Sequence, residues 1–390
     1  MKNFFLATII VIFFLMSFYM IEKKQSSLVM NEKNEEMKAI FISYIELEKY
    51  IKDKSSNESK SNIISILENV KNNGFNTIIL HVRPFSDAIY VSNIFPISKC
   101  VKNKDKNPSY DILKYIIEEA HKKNIAIHAW INPYRISSNT NINDLNSMIS
   151  SFLKSGDAKV IEEKGIYYNP ASKSVNKLIL SGIKELVINY EIDGIIFDDY
   201  FYPNKSIDLD NYKEYVNNGG ELSIDNYRFD VILAFIKDVY WTIKSINKKT
   251  LFGISPEGNI NNNYNTHYLD VKKLLSEEGY VDYIMPQIYF GFENSNRPFV
   301  KTLNEWNLLI KNGAKLIPAL AFYKSGKEDF YAGSGKNEWI DNKDIISREV
   351  VESRKVNNYG GFSVFRYDSM FSPENNNKIN EFIKLKELLN

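Results

Sequence analysis

Eight short runs of apolar, β-branched residues, separated by stretches with helical spacing, constrain this chain more than any other feature. The runs fall at 39–43, 77–82, 125–131, 194–198, 251–255, 283–287, 315–320 and 361–365. Strands that are apolar throughout, without polar alternation, belong to parallel sheets buried on both faces. Between them, Ile63, Ile66, Leu67 and Val70 form one helical stripe, Ile112, Ile116 and Ala120 a second, and Leu178, Ile183 and Val187 a rougher third. Further helices are expected at 226–246, 268–277, 299–312, 343–356 and 375–389. Eight strand–helix repeats are the count of a (β/α)8 TIM-like barrel, an α/β fold. A doubly wound sheet shares the alternation. However, no Gly-x-Gly-x-x-Gly turn follows the first strand and no Walker loop occurs, so nucleotide-binding variants lose ground. The long intervals 137–170 and 201–225, after strands three and four, read as enlarged loops at the active face.

The run from Phe4 to Ile21 is apolar, with Lys2 before it and Lys23 and Lys24 after it. At helical rise it spans roughly 27 Å, close to a bilayer core. Residues 1–24 are therefore expected to be a signal anchor or signal peptide, 25–37 a polar tether, and 38–390 the barrel domain. The absence of a small-x-small cleavage site favours the anchor. The expected location is the cell membrane with the barrel outside the cytoplasm, or secretion if the segment is cleaved. A net charge of +1 offers no field for nucleic acid, and no protein partner is indicated. The single cysteine, Cys100, excludes an internal disulfide and reads as a buried structural thiol.

Polar residues collect at strand ends. Strand two runs into Arg83 and Asp87, strand three into His128, Trp130, Asn132 and Tyr134, and strand four into Asp198, Asp199 and Tyr200. Strand five ends in Glu257 and Asn259, strand six in Gln287 and Tyr289, and strand eight in Arg366. In an α/β barrel, ligands gather at that end of the strands. Because side chains alternate along a strand, only one of Asp198 and Asp199 should face the cleft if the strand continues through them.

The residue types narrow the chemistry. No Gly-x-Ser-x-Gly elbow supports a serine nucleophile, and Asp208-Leu209-Asp210 departs from a calcium loop at Tyr212 and Lys213. His-Glu-x-x-His is absent, which leaves a zinc site from His81, His128 and Asp198 as a minor alternative, and no cofactor is expected. Carboxylate chemistry remains. Glycoside cleavage takes one protonated acid and one ionised carboxylate. Asp198, helped by Arg83 or Arg366, suits the ionised role, and Glu257 suits the acid if burial raises its pKa. Asp199 is the substitute for either. Arg83, Asp87, His128, Trp130, Asn132, Tyr134, Tyr200, Asn259, Gln287, Tyr289 and Arg366 are the candidate sugar contacts, since aromatic faces and amides suit sugar rings and hydroxyls. A surface glycan-binding protein without turnover and a metal-dependent polysaccharide deacetylase are the rival readings.

The same segments, H-V-R-P-F-S-D-A-I-Y at 81–90, H-A-W-I-N-P-Y-R at 128–135, D-G-I-I-F-D-D-Y-F-Y-P at 193–203, G-I-S-P-E-G at 253–258, V-D-Y-I-M-P-Q-I-Y at 281–289 and G-G-F-S-V-F at 360–365, resemble the glycosyl hydrolase-like ten family over about 38–371. The resemblance implies a barrel distantly related to amylase-type glycosidases, with the nucleophile at Asp198 and the acid at Glu257. The family usually carries an aromatic residue where this chain has Glu257 and Asp-Pro where it has Asn169-Pro170, so Asp199 and Asp368 stand as alternatives. It further implies an exported hydrolase of cell-envelope glycan, with peptidoglycan strands stripped of peptides as one known substrate of the family.

Overall fold

The core strands are β1 (Met37–Ile42), β2 (Thr77–Arg83), β3 (Ala126–Ile131), β4 (Gly194–Phe197), β5 (Leu251–Ile254), β6 (Tyr283–Ile284), β7 in two pieces (Lys315–Leu316 and Ala319–Leu320) and β8 (Gly361–Val364). β2 is buried at all seven positions, which is why its sequence shows no polar alternation. The computed structural model describes residues 35–389 except Asp105, Asp144 and Tyr200. Contacts divide the chain into Met1–Glu36 and Met37–Asn390, and every element here belongs to the second unit. The expected anchor at 1–24 and all but the end of the tether lie outside the described residues. Among the described residues, no helix is long and apolar enough to cross a membrane.

All core strands pair in parallel, in the order first piece of β7, β6, β5, β4, β3, β2, β1, β8, second piece of β7. The two ends of this sheet are one run of chain. Pro318 has no N–H and interrupts the run, yet Ile317 and Ala319 donate to the Ile284 and Pro286 carbonyls, while Ser363 donates to the Pro318 carbonyl. The sheet thus curls until its ends meet.

Inside the curl, Ala39, Phe41, Ile79, Trp130, Ile196, Tyr283, Met285, Ile317 and Ala319 form their own cluster, separate from the larger core between strands and helices. Two glycines shape its lower layer. A Cβ on Gly194 would lie 2.6 Å from the His128 ring, and one on Gly253 would lie 2.2 Å from the Tyr283 ring. In the space they leave, His128 Nδ1 and the Tyr283 hydroxyl meet at 2.8 Å.

Helices follow the strands, including Ser56–Asn72, Ile112–His121, Lys173–Asn189, Ile224–Ile246, Phe299–Leu309, Ile345–Ser353 and Asn376–Leu389. Side-chain caps from Ser55, Asp111, Ser172 and Ser223 fix the starts of the first four. The interval 137–170 is more than a loop. It holds helix Ser147–Lys154 and most of a three-stranded antiparallel sheet of Arg135–Ser137, Gly165–Tyr168 and Ala158–Ile161. In the interval 201–225, Asp208 accepts two hydrogen bonds from the buried Arg228 guanidinium, at 2.9 and 2.8 Å, and so fixes the segment before helix Leu209–Asn217.

Candidate active site

β4 stops at Phe197, so the pleat no longer governs the next two residues, and Asp198 and Asp199 both line one cleft of about 270 Å³. The expectation that only one of them reaches it is corrected. Trp130, Asn132, Gln287, Tyr289 and Arg366 line the same cleft, joined by Ser43, Tyr44, His81, Arg135, Ser255 and Phe365.

Asp198 is 4% exposed and accepts a hydrogen bond from Trp130 Nε1 at 2.9 Å. Trp130 is fixed in turn. Its ring stacks on His81 at 3.5 Å and 8°, and Phe41 meets it edge-on at 5.4 Å. Burial, with Arg135 nearby, holds the His81 imidazole well below its ordinary pKa, so it stacks as a neutral ring.

Asp199 is half-buried. Loss of water pushes its carboxyl above the ordinary value, the Glu257 charge adds to the rise, and His267 and Gln287 pull it partly back. Glu257 is shifted the opposite way. His267 Nε2 lies 3.1 Å from its Oε1 and Asn262 Nδ2 donates to its Oε2 at 2.6 Å, which holds this carboxyl below its ordinary range. The condition set for Glu257 as proton donor, a pKa raised by burial, is therefore not met. Asp199, Glu257 and His267 bring one donor atom each within 4.8 Å of one another, a set that suits a divalent ion. The hydrogen bonds just described already engage the Glu257 oxygens and His267 Nε2.

Arg366 crosses to the end of β1, where its Nε lies 3.1 Å from Glu46 and its Nη1 3.1 Å from Ser43 Oγ. Asp368 turns to Lys49 and Tyr50, at 2.9 and 2.8 Å, and is not part of the cleft lining.

Several expected contacts lie elsewhere. A register shift between His81 and Arg83 turns Arg83 out of the barrel, where it is 1% exposed with its guanidinium 3.6 Å from the Phe95 ring centre. Asp87 lines a neighbouring cavity, its carboxyl pushed up to about 6 by burial. His128 is in the barrel interior beside the Tyr283 hydroxyl, where burial lowers its pKa to about 4. Among the described residues, His81, His128 and Asp198 do not form a set close enough to share a metal. Tyr134 is fully buried against Phe235 and donates to Asn176. Asn259 caps helix Ile260–Asn265 by accepting from Asn261 N. Tyr200 lies outside the described residues.

The residues that sequence reasoning missed came with unequal signals. Ser43-x-x-Glu46, which begins on the last residue of the first run, is a capping box, and it marks where β1 ends at the cleft. Arg135 closes the His128–Arg135 motif. His267, beyond a short helix, had no local signal.

The Glycosyl hydrolase-like 10 family model matches residues 36–331. Among similar proteins, the glycosyl hydrolase YngK of Bacillus subtilis is 34% identical over 66% of this chain and 54% of its own length. The glycosyl hydrolase DigH of Escherichia coli K12 is 30% identical over 80% of this chain and 76% of its own. The chain thus spans about half the length of YngK and three quarters of DigH. In fold, the glycoside hydrolase domain of PgaB (BpsB) from Bordetella bronchiseptica superposes with a TM-score of 0.59 at 10% identity, over 89% of this chain and 98% of that one. Alpha-L-fucosidase isoenzyme 2 from Paenibacillus thiaminolyticus gives 0.57 at 13% identity, over 91% and 49%. The matched span takes in β1 to β7, and with them both aspartates of the cleft, Glu257 and His267; the chain belongs to the Glycosyl hydrolase-like 10 family.

Proposed function

We propose that this barrel is an exported hydrolase of O-glycosidic bonds in bacterial wall glycan, with peptidoglycan strands as its polymer. The observation that carries the reading is the pair Asp198 and Asp199, which line one cleft in two different environments. Two carboxyls with separate surroundings can take the acid and the ionised role at one pH. Asp199, whose carboxyl is pushed above its ordinary value by burial, is the one suited to donate a proton to the leaving glycosidic oxygen. Asp198, oriented by Trp130, attacks the anomeric carbon or activates the water that does. Tyr289 and Phe365 offer ring faces to the sugar, and Asn132 and Gln287 offer amides to its hydroxyls. The apolar run Phe4 to Ile21 supports export and retention at the membrane, beside the wall.

The test is mass spectrometry of purified sacculi incubated with the protein, with and without prior amidase treatment. New reducing ends on glycan fragments are expected, more of them once peptides are removed. Free acetate with no new reducing ends would point instead to a deacetylase.

A further inference from the structure

Segments that follow the strands of a closed parallel barrel emerge on one face, and the stretch 321–341 after β7 shares that face with the loops that carry Tyr289 and Phe365. Phe330 and Tyr331 stand out from it. They are 81% and 88% exposed, and no other large hydrophobic residue among the described residues exceeds 66%. Single exposed apolar residues are ordinary, whereas two neighbouring rings held in water mark a contact surface.

The rings do not sit on a loose tip. Asp329 N–H donates to the Lys336 carbonyl at 2.8 Å, Tyr331 N–H to Asp329 Oδ1 at 3.2 Å, and Asn296 Nδ2 to the Tyr331 carbonyl at 3.3 Å. Ser295 N–H donates to the Ala332 carbonyl at 3.0 Å, and the Glu293 carbonyl leaves no room for a Cβ on Gly335. The segment is thus clamped to the loop after β6. A ligand that meets the rings has little backbone left to order.

The same clamp reaches the cleft. Lys324 Nζ lies 2.8 Å from the Tyr289 carbonyl and 2.7 Å from Asp329 Oδ2, so one ammonium ties the residue before Phe330 to a residue of the cleft lining. Tyr323 adds a second tie. Its ring centre lies 5.8 Å from that of Tyr289 and 6.0 Å from that of Phe365, both in the lining. Charge does not select the ligand here, because Lys324 offsets Asp329, Lys327 lies 3.5 Å from Glu374, and Glu328 and Lys336 are of opposite sign.

We infer that Phe330 and Tyr331 form an aromatic landing for the polymer beyond the cleft, stacking on the uncharged C–H faces of its sugar rings. The inference rests on the glycosidase reading and adds to it that the enzyme favours long glycan chains over short ones.

The experiment compares the full chain with Phe330→Ser/Tyr331→Ser and with Phe330→Tyr/Tyr331→Phe, which exchanges the rings and keeps both faces. Each is assayed on amidase-treated wall-glycan oligosaccharides from two to eight sugars and on an aryl glycoside short enough for the cleft. For the unaltered protein, kcat/KM should rise about tenfold with length, a gain of roughly 1.4 kcal/mol. The serine variant should lose that gain, the ring-exchanged variant should keep it, and all three should turn over the aryl glycoside alike. Amidating the glycan carboxylates should leave the gain in place. A gain that the serine variant retains, an equal loss on short and long substrates, or a gain that amidation removes overturns the landing. Vesicles of anionic phospholipid test a membrane in its place: vesicle binding lost in the serine variant while the length gain survives would also overturn it. If the unaltered protein cleaves no glycan, the hydrolase reading fails separately. Binding of the eight-sugar glycan then decides the landing: weaker binding by the serine variant alone upholds it, and unchanged binding overturns it.

Discussion

Trp130 donates its indole N–H to Asp198 Oδ2 at 2.9 Å while its ring lies flat on His81. The stack fixes the donor, and the donor fixes the carboxylate. Trp130→Phe retains an aromatic face and removes the bond. A hydrogen bond to a charged group contributes about 1.5–3 kcal/mol, so kcat should fall roughly 10- to 100-fold with KM little changed. Steady-state kinetics on soluble glycan separates the two constants, and a loss confined to KM would speak against an orienting role.

Asp199 must carry a proton to act as the acid. Its raised pKa places the alkaline limb of kcat/KM above the ordinary carboxylate range, with activity lost as pH rises through it. The Glu257 charge contributes to that rise, so Glu257→Gln should move the limb to lower pH. A pH–rate profile of both proteins reads the shift, and a move upward would contradict the assignment.

Much of the barrel was legible because buried parallel strands leave an unmistakable apolar run, and because the acids at 198 and 199 stand directly after one of them. What stayed hidden depends on pairing and packing that no single segment shows. The register shift that turns Arg83 outward exists only in the pairing of β2 with β3. The break in β7 follows from Pro318, but that its two pieces bond to opposite neighbours is a property of closure. Tyr134 has the composition of a sugar contact, yet its chain is drawn under helix Ile224–Ile246 against Phe235. The pull of His267 on Glu257, which lowers a carboxyl that burial was expected to raise, arises where the chain turns after a short helix ten residues on.

Arg83 gives a direct check of its placement. Its guanidinium is buried against Phe95, and none of its three nitrogens meets a protein acceptor among the described residues. Replacing a buried charge with an apolar side chain of similar length is often neutral or stabilising. Arg83→Met should leave KM within about twofold and change stability by no more than about 1–2 kcal/mol. A several-fold rise in KM would return Arg83 to the substrate.

Burial also couples stability to pH. Glu381 accepts bonds from Ile345 N and Ile346 N, and its carboxyl is pushed from 4.5 up to about 7. Between those values the folded chain binds a proton that the unfolded chain has released. Stability therefore falls as pH rises from about 4.5 to 7. Glu349, fully buried with neither oxygen partnered among the described residues, is raised well above its ordinary value and extends the fall upward. Glu349→Gln should be near neutral at pH 5 and stabilising at pH 8, on the order of 1–2 kcal/mol. Thermal melts across that range check the slope; a variant curve parallel to the wild type would contradict it.

The most direct measurement counts reducing ends released from amidase-treated wall glycan by the unaltered protein and by Asp198→Asn, alongside binding of the same glycan to each. Release by the former, a loss of about 10³-fold or more in the latter, and comparable binding by both are expected. Release by Asp198→Asn at the unaltered rate would contradict the assignment of the cleaving carboxylates to the end of β4.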